Sequence, residues 1–259
     1  MEVHFMKKTA LITGATSGLG YEFAKLFAKD GYNLVLVARS ENTLNEMKQT
    51  YSNIEVTVIP KDLSTPGAAK EIFQEVEQKG ISIDVLVNNA GFGLMGHFDG
   101  LDIQKQTNMI QLNITALTEL TYYFLPKMKQ QGSGRILNVA STAAFQPGPL
   151  MAVYFASKAY VLSFSEALVE ELAGTGVTVT TLCPGATKTN FGAVASVENS
   201  KMFNQAMSSD VVAKQGYEAL MRGKRVIVTG GLNKAGVLGA KFMPRSVAAK
   251  ISKYVAGEK

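Results

Sequence analysis

The sequence predicts a single-domain α/β protein with a doubly wound parallel sheet of about seven strands flanked by helices. Short apolar runs recur along the 259 residues, and longer segments with helical periodicity separate them. The apolar runs are continuous rather than alternating, as in strands that are covered on both faces. The chain is 46% hydrophobic and 18% charged, which suffices for one full core, and no linker or repeat divides residues 1–259.

The predicted strands occupy residues 9–13, 33–38, 54–59, 84–88, 135–140, 177–183 and 225–228. Between them, helix boundaries are also recognisable. Ser64, Thr65 and Pro66 suit a helix start, because a hydroxyl can cap the first turn and proline is tolerated there. The glycines that suit helix ends before a strand are Gly31, Gly80 and either Gly174 or Gly176.

The net charge of +5 resides entirely in the C-terminal tail, residues 232–259. Its charged residues are Lys234, Lys241, Arg245, Lys250, Lys253 and Lys259 against Glu258. The tail has neither an aromatic stacking platform nor a DNA-reading motif, so nucleic-acid binding is not predicted. Its apolar residues at helical spacing are Val247, Ile251, Tyr254 and Val255. We expect this basic helical tail to pack on the protein, in preference to completing an oligomer interface or lying on an anionic membrane surface.

Targeting and redox signals are sparse. No apolar run approaches the roughly eighteen residues of a membrane span, and no signal-peptide pattern opens the chain, so a cytoplasmic location is expected. The single Cys183 excludes an internal disulfide and is expected to be a small buried side chain. With only His4 and His97 available as imidazole ligands, no metal site is predicted.

A glycine-rich turn lies where the first strand meets the first helix, with the spacing Gly-x3-Gly-x-Gly. Glycine there permits a tight turn and close approach of the backbone to a pyrophosphate, which then lies at the positive end of the helix. This placement predicts a Rossmann-type dinucleotide site. The residues expected to bind the cofactor here are Gly14, Thr16, Ser17, Gly18, Leu19 and Gly20.

The end of the second predicted strand carries Ala38 and Arg39 where dinucleotide-binding folds often place an acidic residue. A guanidinium suits a 2′-phosphate through paired charge-assisted hydrogen bonds. NADP(H) is therefore predicted in preference to NAD(H). Asp62 and Leu63, just past the third strand, are expected at the adenine edge.

Tyr154 and Lys158 stand four residues apart, thirteen residues after Ser141. On a helix this spacing places the phenol and the ammonium on one face, where a fixed positive charge favours the phenolate. Lowering a phenol pKa by roughly three units requires about 4 kcal/mol of preferential stabilisation of the anion. The pattern predicts a tyrosine that transfers protons.

Taken together, the motifs arrive in a characteristic order: the turn at residues 13–20, Asn88-Asn89-Ala90-Gly91, Asn113, Ser141, Tyr154, Lys158 and Pro184-Gly185. Over residues 9–230 the chain resembles a short-chain dehydrogenase/reductase of the compact type. The resemblance implies that Tyr154 is the general acid or base and that Lys158 lowers its pKa and binds the nicotinamide ribose. Ser141 would hold the substrate carbonyl, and Asn113 would anchor a water in a proton relay behind Lys158.

The resemblance also implies further contacts. Cofactor-binding residues would include Asn89, Ala90, Gly91, Pro184 and Gly185, and Thr189 would meet the nicotinamide carboxamide, with Thr187 a weaker candidate. Similar proteins pair through two long helices, here about residues 102–130 and 151–173, which implies a homodimer or homotetramer.

Apolar residues in loops at the carboxyl ends of strands are candidates for the wall of a substrate pocket. They are Phe92, Leu94, Met95, Phe145, Leu150, Phe191, Met202, Phe203 and Met207. They favour a moderately apolar ketone or aldehyde as substrate. Residues 187–208 lack strong periodicity and are expected to form a mobile lid.

Two functions are consistent with these patterns. The first is an NADP(H)-dependent carbonyl reductase, or the reverse alcohol dehydrogenase. The second is a non-catalytic NADP(H) sensor or scaffold on the same fold, since a fold alone does not determine function. The complete set of Asn113, Ser141, Tyr154 and Lys158 favours the enzyme, because a sensor would not need all four.

Overall fold

The computed structural model describes residues 7–195 and 206–257, through which a seven-stranded parallel sheet runs. The strands are β1 (Thr9–Thr13), β2 (Asn33–Ala38), β3 (Val56–Pro60), β4 (Val85–Asn88), β5 (Gly134–Val139), β6 (Val177–Cys183), β7 (Thr187–Lys188), β8 (Met207–Ser208) and β9 (Val226–Val228). Strands β7 and β8 pair only with each other, as a small separate sheet in the described part.

The strand order of the large sheet is β3-β2-β1-β4-β5-β6-β9. The predicted doubly wound sheet is confirmed, and all seven predicted strands occur in it. The largest difference in a strand start is at β3, which begins at Val56 rather than at residue 54. The order reverses between β1 and β4, and such a reversal opens a crevice at the carboxyl ends of the strands.

The helices are α1 (Gly18–Lys29), α2 (Glu41–Thr50), α3 (Ala68–Gln78), α4 (Ile103–Ile110), α5 (Leu117–Gln130), α6 (Ala152–Glu171), α7 (Phe191–Ala195), α8 (Ser209–Met221), α9 (Gly231–Phe242) and α10 (Arg245–Ala256). A π-helical segment, Gln111–Ala116, joins α4 to α5, so the chain is helical from residue 103 to residue 130. This continuous segment and α6 correspond to the two long helices expected from the sequence.

Strand β2 shows why the apolar runs are continuous. Leu34 and Leu36 pack with Phe23 and Phe27 of α1 on one face of the sheet. Val35 and Val37 point to the other face, in a second core that also contains residues from α3 and α5. Because successive side chains of a strand alternate between faces, a strand covered on both faces needs apolar residues at every position.

The predicted lid at residues 187–208 contains β7, α7 and β8 in its described part. Met202 and Phe203 lie outside the described residues. Past β9, the chain forms α9 and α10, which together we call the C-terminal cover. In the described residues, no helix is long and apolar enough to cross a bilayer.

Candidate active site

A cleft of about 1280 Å³ opens at the carboxyl ends of the parallel strands. Most of the residues predicted to bind cofactor or to act in catalysis line it. They are Gly14, Thr16, Ser17, Gly18, Leu19, Arg39, Asp62, Leu63, Asn89, Ala90, Gly91, Ser141, Tyr154, Lys158, Pro184, Gly185, Thr187 and Thr189. Gly20 and Asn113 do not line the cleft, and each supports it from behind.

The glycine turn brings the end of β1 close to the start of α1. Gly14 adopts a left-handed conformation (φ 66°), and its N–H donates to the Val37 carbonyl at 2.8 Å. A Cβ on Gly20 would lie 2.1 Å from the Gly14 oxygen, so only glycine fits there. Gly20 therefore lets the helix pack against the turn and does not itself face the cleft.

The amino end of α1 faces the cleft without a local capping partner. Ser17 is its N-cap residue and makes no side-chain hydrogen bond to the helix, and the first turn holds no acidic residue. The helix dipole and unsatisfied N–H groups leave this end ready for an anion.

Thr13 and Asn89 tie this turn to the end of β4. The Thr13 hydroxyl accepts hydrogen bonds from the N–H groups of Asn89 and Ala90, both at 3.0 Å. The Asn89 side chain donates to the Thr13 carbonyl at 2.9 Å. Thr13 is a positioning residue that sequence reasoning missed, although its place at the head of the glycine motif was a usable signal.

Arg39 lies at the cleft between β2 and α2, and its side chain is exposed. Lys61, just after β3, also lines the cleft, and its ammonium forms an ion pair with the Glu71 carboxylate at 2.8 Å. Asp62 is committed to a local turn, because its Oδ1 accepts from the N–H and hydroxyl of Ser64 at 2.9 and 2.7 Å. Of these residues, Arg39 is the cation at the β2 and β3 ends of the cleft for which no ion pair with another described residue is seen.

Tyr154 and Lys158 lie one turn apart on α6, as their spacing predicts, and both are buried. The Lys158 ammonium donates to the Val139 carbonyl at 2.8 Å and lies 5.8 Å from the centre of the Tyr154 ring. Ser141 follows β5 and donates to the Pro184 carbonyl at 3.3 Å. The ends of β5 and β6 thus hold Ser141 and Lys158 beside the phenol.

The pKa values correct one expectation from the sequence. Burial raises the pKa of Tyr154 to about 12, and a hydrogen bond with Ser141 opposes this only in part. Burial also lowers the pKa of Lys158 to about 8. The expected lowering of the Tyr154 pKa by Lys158 is therefore wrong, because desolvation of the buried phenol dominates.

Asn113 lies in the π-helical segment, almost fully buried. Its Oδ1 accepts from the Phe92 N–H at 3.1 Å, and its Nδ2 donates to the Phe92 carbonyl at 3.0 Å and the Ser157 hydroxyl at 3.1 Å. A Cβ on Gly91 would approach Asn113 Oδ1 to 2.9 Å and Lys158 Nζ to 3.5 Å. Asn113 therefore holds the backbone at Phe92, in the segment after β4, beside Lys158. Its expected role as a water anchor stays a prediction.

The apolar side of the cleft differs from the predicted wall. Phe92, Leu94 and Phe191 line it as expected, but Met95, Phe145, Leu150 and Met207 do not. Met95 packs in a cluster with Met109 and Met151, and Met207 packs against the main core. Instead, the C-terminal cover contributes Leu232, Val237, Ile251 and Val255. No local signal tied that tail to the strand ends, so sequence reasoning missed it.

Within residues 7–195 and 206–257, no three His, Cys, Asp or Glu side chains are grouped so that they could hold a metal ion. Cys183 is buried, as expected. A doubly wound sheet, an open helix end above a glycine turn and a buried Tyr–Lys pair beside one cleft are features typical of dinucleotide-binding α/β proteins.

The chain belongs to the short-chain dehydrogenase family, whose family model, described as short chain dehydrogenase, matches residues 8–199. This confirms the resemblance seen in the sequence and makes the protein a member of an oxidoreductase family. A Ketoacyl reductase HetN of Nostoc sp. is 36% identical over 182 residues, covering 69% of this chain. The matched region spans 63% of that relative's length, less than two thirds of it.

Solved structures of the family share the fold closely. A short-chain dehydrogenase from Sphingobium yanoikuyae in complex with NADPH is 30% identical with a TM-score of 0.79, covering 90% of this chain and 93% of that one. A short-chain dehydrogenase/reductase from Burkholderia phymatum in complex with NAD is 27% identical with a TM-score of 0.79, covering 90% and 92%. Structural neighbours therefore hold nicotinamide cofactors of both kinds.

Proposed function

We propose that this protein is an NADP(H)-dependent oxidoreductase that interconverts a moderately apolar ketone or aldehyde and the corresponding alcohol, with Tyr154 as the proton donor or acceptor. The observation that carries the proposal is the placement of Tyr154, Ser141 and Lys158 in the cleft that the glycine turn also borders. We place the reaction in the cytoplasm, as the sequence leads us to expect.

The residues present fit a nicotinamide dinucleotide. Gly14 and Gly18 line the cleft beside the uncapped end of α1, and that helix end suits the pyrophosphate. Asn89 to Gly91 and Thr189 border the same groove on its other side. When bound, the nicotinamide supplies or accepts the hydride.

Tyr154 is suited first to reduction. With a pKa of about 12, its phenol is protonated at neutral pH and can donate to the carbonyl oxygen as negative charge develops there. The Ser141 hydroxyl can donate a second hydrogen bond to that oxygen. Lys158, with a pKa of about 8, is mostly charged at neutral pH, and its positive charge stabilises the phenolate that remains after the proton is donated.

The preference for NADP(H) rests on Arg39 at the end of β2. Ala38 leaves that strand end without a carboxylate that would repel a 2′-phosphate, and Arg39 is exposed at the cleft. Fork-shaped guanidinium groups bind phosphate in a bidentate manner. The apolar wall of Phe92, Phe191 and the C-terminal cover supports an apolar substrate.

A homodimer or homotetramer is part of the proposal. Large apolar side chains that are more than a third exposed on α4, α5 and α6 are Ile103, Ile110, Tyr122 and Tyr160. A pair of long helices with such residues can bury them against a second copy. Light scattering at micromolar concentration checks this, and a strictly monomeric protein would contradict it.

Turnover is tested by incubating the protein with NADPH and a panel of ketones and aldehydes of increasing apolar size while following the absorbance of the reduced nicotinamide. We expect consumption that depends on the carbonyl compound. NADPH binding without turnover across the panel and across the corresponding alcohols with NADP⁺ would instead indicate the non-catalytic sensor.

A further inference from the structure

The C-terminal cover turns its small side chains inward and its large apolar side chains outward. In α10 the buried residues are Ala248, Ser252 and Ala256, and in α9 only Val237 is buried. By contrast, Phe242 is 84% exposed and Leu232 is 72% exposed. An amphipathic helix that served only to close the domain would bury these larger residues.

The cover is also strongly and uniformly basic. Residues 230–257 contain no Asp or Glu. Their cations, all exposed, are Lys234, Lys241, Arg245, Lys250 and Lys253. None of these five forms an ion pair with another described residue. The cover therefore presents positive charge that the described part of the chain does not neutralise.

Apolar and basic side chains are ordered around each helix. On α9, Leu238 and Phe242 lie one turn apart and are exposed, and Lys241 lies beside this stripe. On α10, Val247 and Ile251 lie one turn apart and are exposed, and Lys250 borders them. Apolar side chains that enter the acyl boundary, with lysines reaching the phosphates beside them, are typical of helices that lie on a membrane.

The exposed apolar surface is continuous with the cleft. Val194, Leu232, Ile251 and Val255 line the cleft and are each more than a third exposed, so they form its rim. The face that carries the basic residues thus includes part of the cleft entrance.

We propose that the C-terminal cover docks on the surface of an anionic lipid bilayer. The exposed apolar side chains would insert between the lipid headgroups, and the five cations would attract the acidic headgroups. A second copy of this chain is a poorer occupant. In a symmetric dimer formed through this face, the cations of the two covers would lie opposite one another and repel, because neither cover has an acidic residue to pair with them.

The test is cosedimentation of the full-length protein with vesicles, without substrate. We expect binding to vesicles of equal parts phosphatidylglycerol and phosphatidylcholine, weak binding to phosphatidylcholine alone, and at least about a tenfold loss of affinity between low and high salt. Since sedimentation does not depend on turnover, its outcome is separate from that of the proposed enzymatic function.

Matched variants locate the contact. Lys250→Glu with Lys253→Glu should weaken binding by at least about tenfold. The control double variant, Lys48→Glu with Lys70→Glu, makes the same charge change at exposed positions on α2 and α3. It should bind the anionic vesicles much more tightly than the double variant in α10. Phe242→Ser should also weaken binding, whereas Val211→Ser, at an exposed position on α8, should not. Circular dichroism checks that each variant is folded.

Three outcomes would overturn the proposal. The first is no binding to the anionic vesicles, or equal binding to both vesicle types. The second is an equal loss in the matched control variants. The third is association of the parent protein that Phe242→Ser abolishes in light scattering, which would assign this face to contact between copies.

Discussion

The two walls of the cleft are stabilised by different packing and hydrogen-bonding interactions. The wall at the ends of β1, β4, β5 and β6 rests on strands in which all but one residue of β5 and one of β6 are buried, and on hydrogen bonds such as those from Asn89 to Thr13. The C-terminal cover rests on small side chains and leaves Leu232, Leu238 and Phe242 exposed. Tight packing defines atomic positions, as proton transfer and phosphate binding require, whereas a lightly packed wall leaves its large side chains available for other contacts.

The largest effect should come from Tyr154→Phe in the tightly packed wall. Removing the hydroxyl takes away the transferable proton without emptying the site, so turnover should fall by about a thousandfold while NADPH binding is kept. Tyr160→Phe is the matched control on the same helix, where the hydroxyl contacts Thr118 and not the cleft. Steady-state kinetics and cofactor titration measure both. Activity of Tyr154→Phe within tenfold of the parent would refute the assignment.

Glycine substitutions compare the packing of the two walls directly. Gly20→Ala places a Cβ 2.1 Å from the Gly14 oxygen, and we expect it to lower the free energy of unfolding by about 3 kcal/mol or more and to weaken NADPH binding. In α9, a Cβ on Gly239 meets nothing within 4 Å. Gly239→Ala should therefore raise stability by up to about 1 kcal/mol. Urea denaturation measures both, and similar stabilities for the two variants would disprove the contrast.

Lys158→Met tests the energetic cost of a buried cation. The folded pKa of about 8 lies below the unfolded value of 10.5, so the charged side chain destabilises the fold at pH 7. We expect the variant to be more stable there by roughly 2 kcal/mol, after allowing for the lost bond to Val139, and to lose activity. Because the folded protein releases this proton first, the parent gains stability as pH rises from about 8 to 10.5.

The stability gap between Lys158→Met and the parent should therefore narrow over that pH window. Denaturation at a series of pH values measures the gap. A constant gap, or a variant less stable than the parent at pH 7, would show that burial does not depress the pKa of this lysine.

The smallest expected effect is on the preference for NADPH over NADH, which we assign to Arg39 at the edge of the tightly packed wall. We expect NADPH to exceed NADH by at least about tenfold in kcat/KM, equivalent to about 1.4 kcal/mol, and expect Arg39→Ala and Ala38→Asp each to reduce that ratio. Arg222→Ala, at an exposed position after α8, is the control. Equal efficiencies in the parent protein would show that Arg39 does not contact a 2′-phosphate.

Sequence patterns predicted one wall of the cleft far better than the other. The glycine turn and Ser141 each follow a strand, Tyr154 and Lys158 lie in the first two turns of α6, and parallel strands bring such positions to one edge of the sheet. Their presence in one cleft is observed, and their roles stay predictions. Leu232, Val237, Ile251 and Val255 follow the last strand of the sheet, where the expectation was only that the tail packs on the protein.

The sequence by itself determined the doubly wound sheet and the family, and most of the site residues that it predicted do line the cleft, because periodicity and glycine spacing act locally. Only the tertiary structure decided the direction of the Tyr154 pKa, since burial of the phenol, whose ring also contacts Phe191, outweighs the expected effect of Lys158. Tertiary structure also decided which face of α9 and α10 meets the cleft. Desolvation and long-range packing depend on residues far apart in the chain, and local patterns do not encode either quantity.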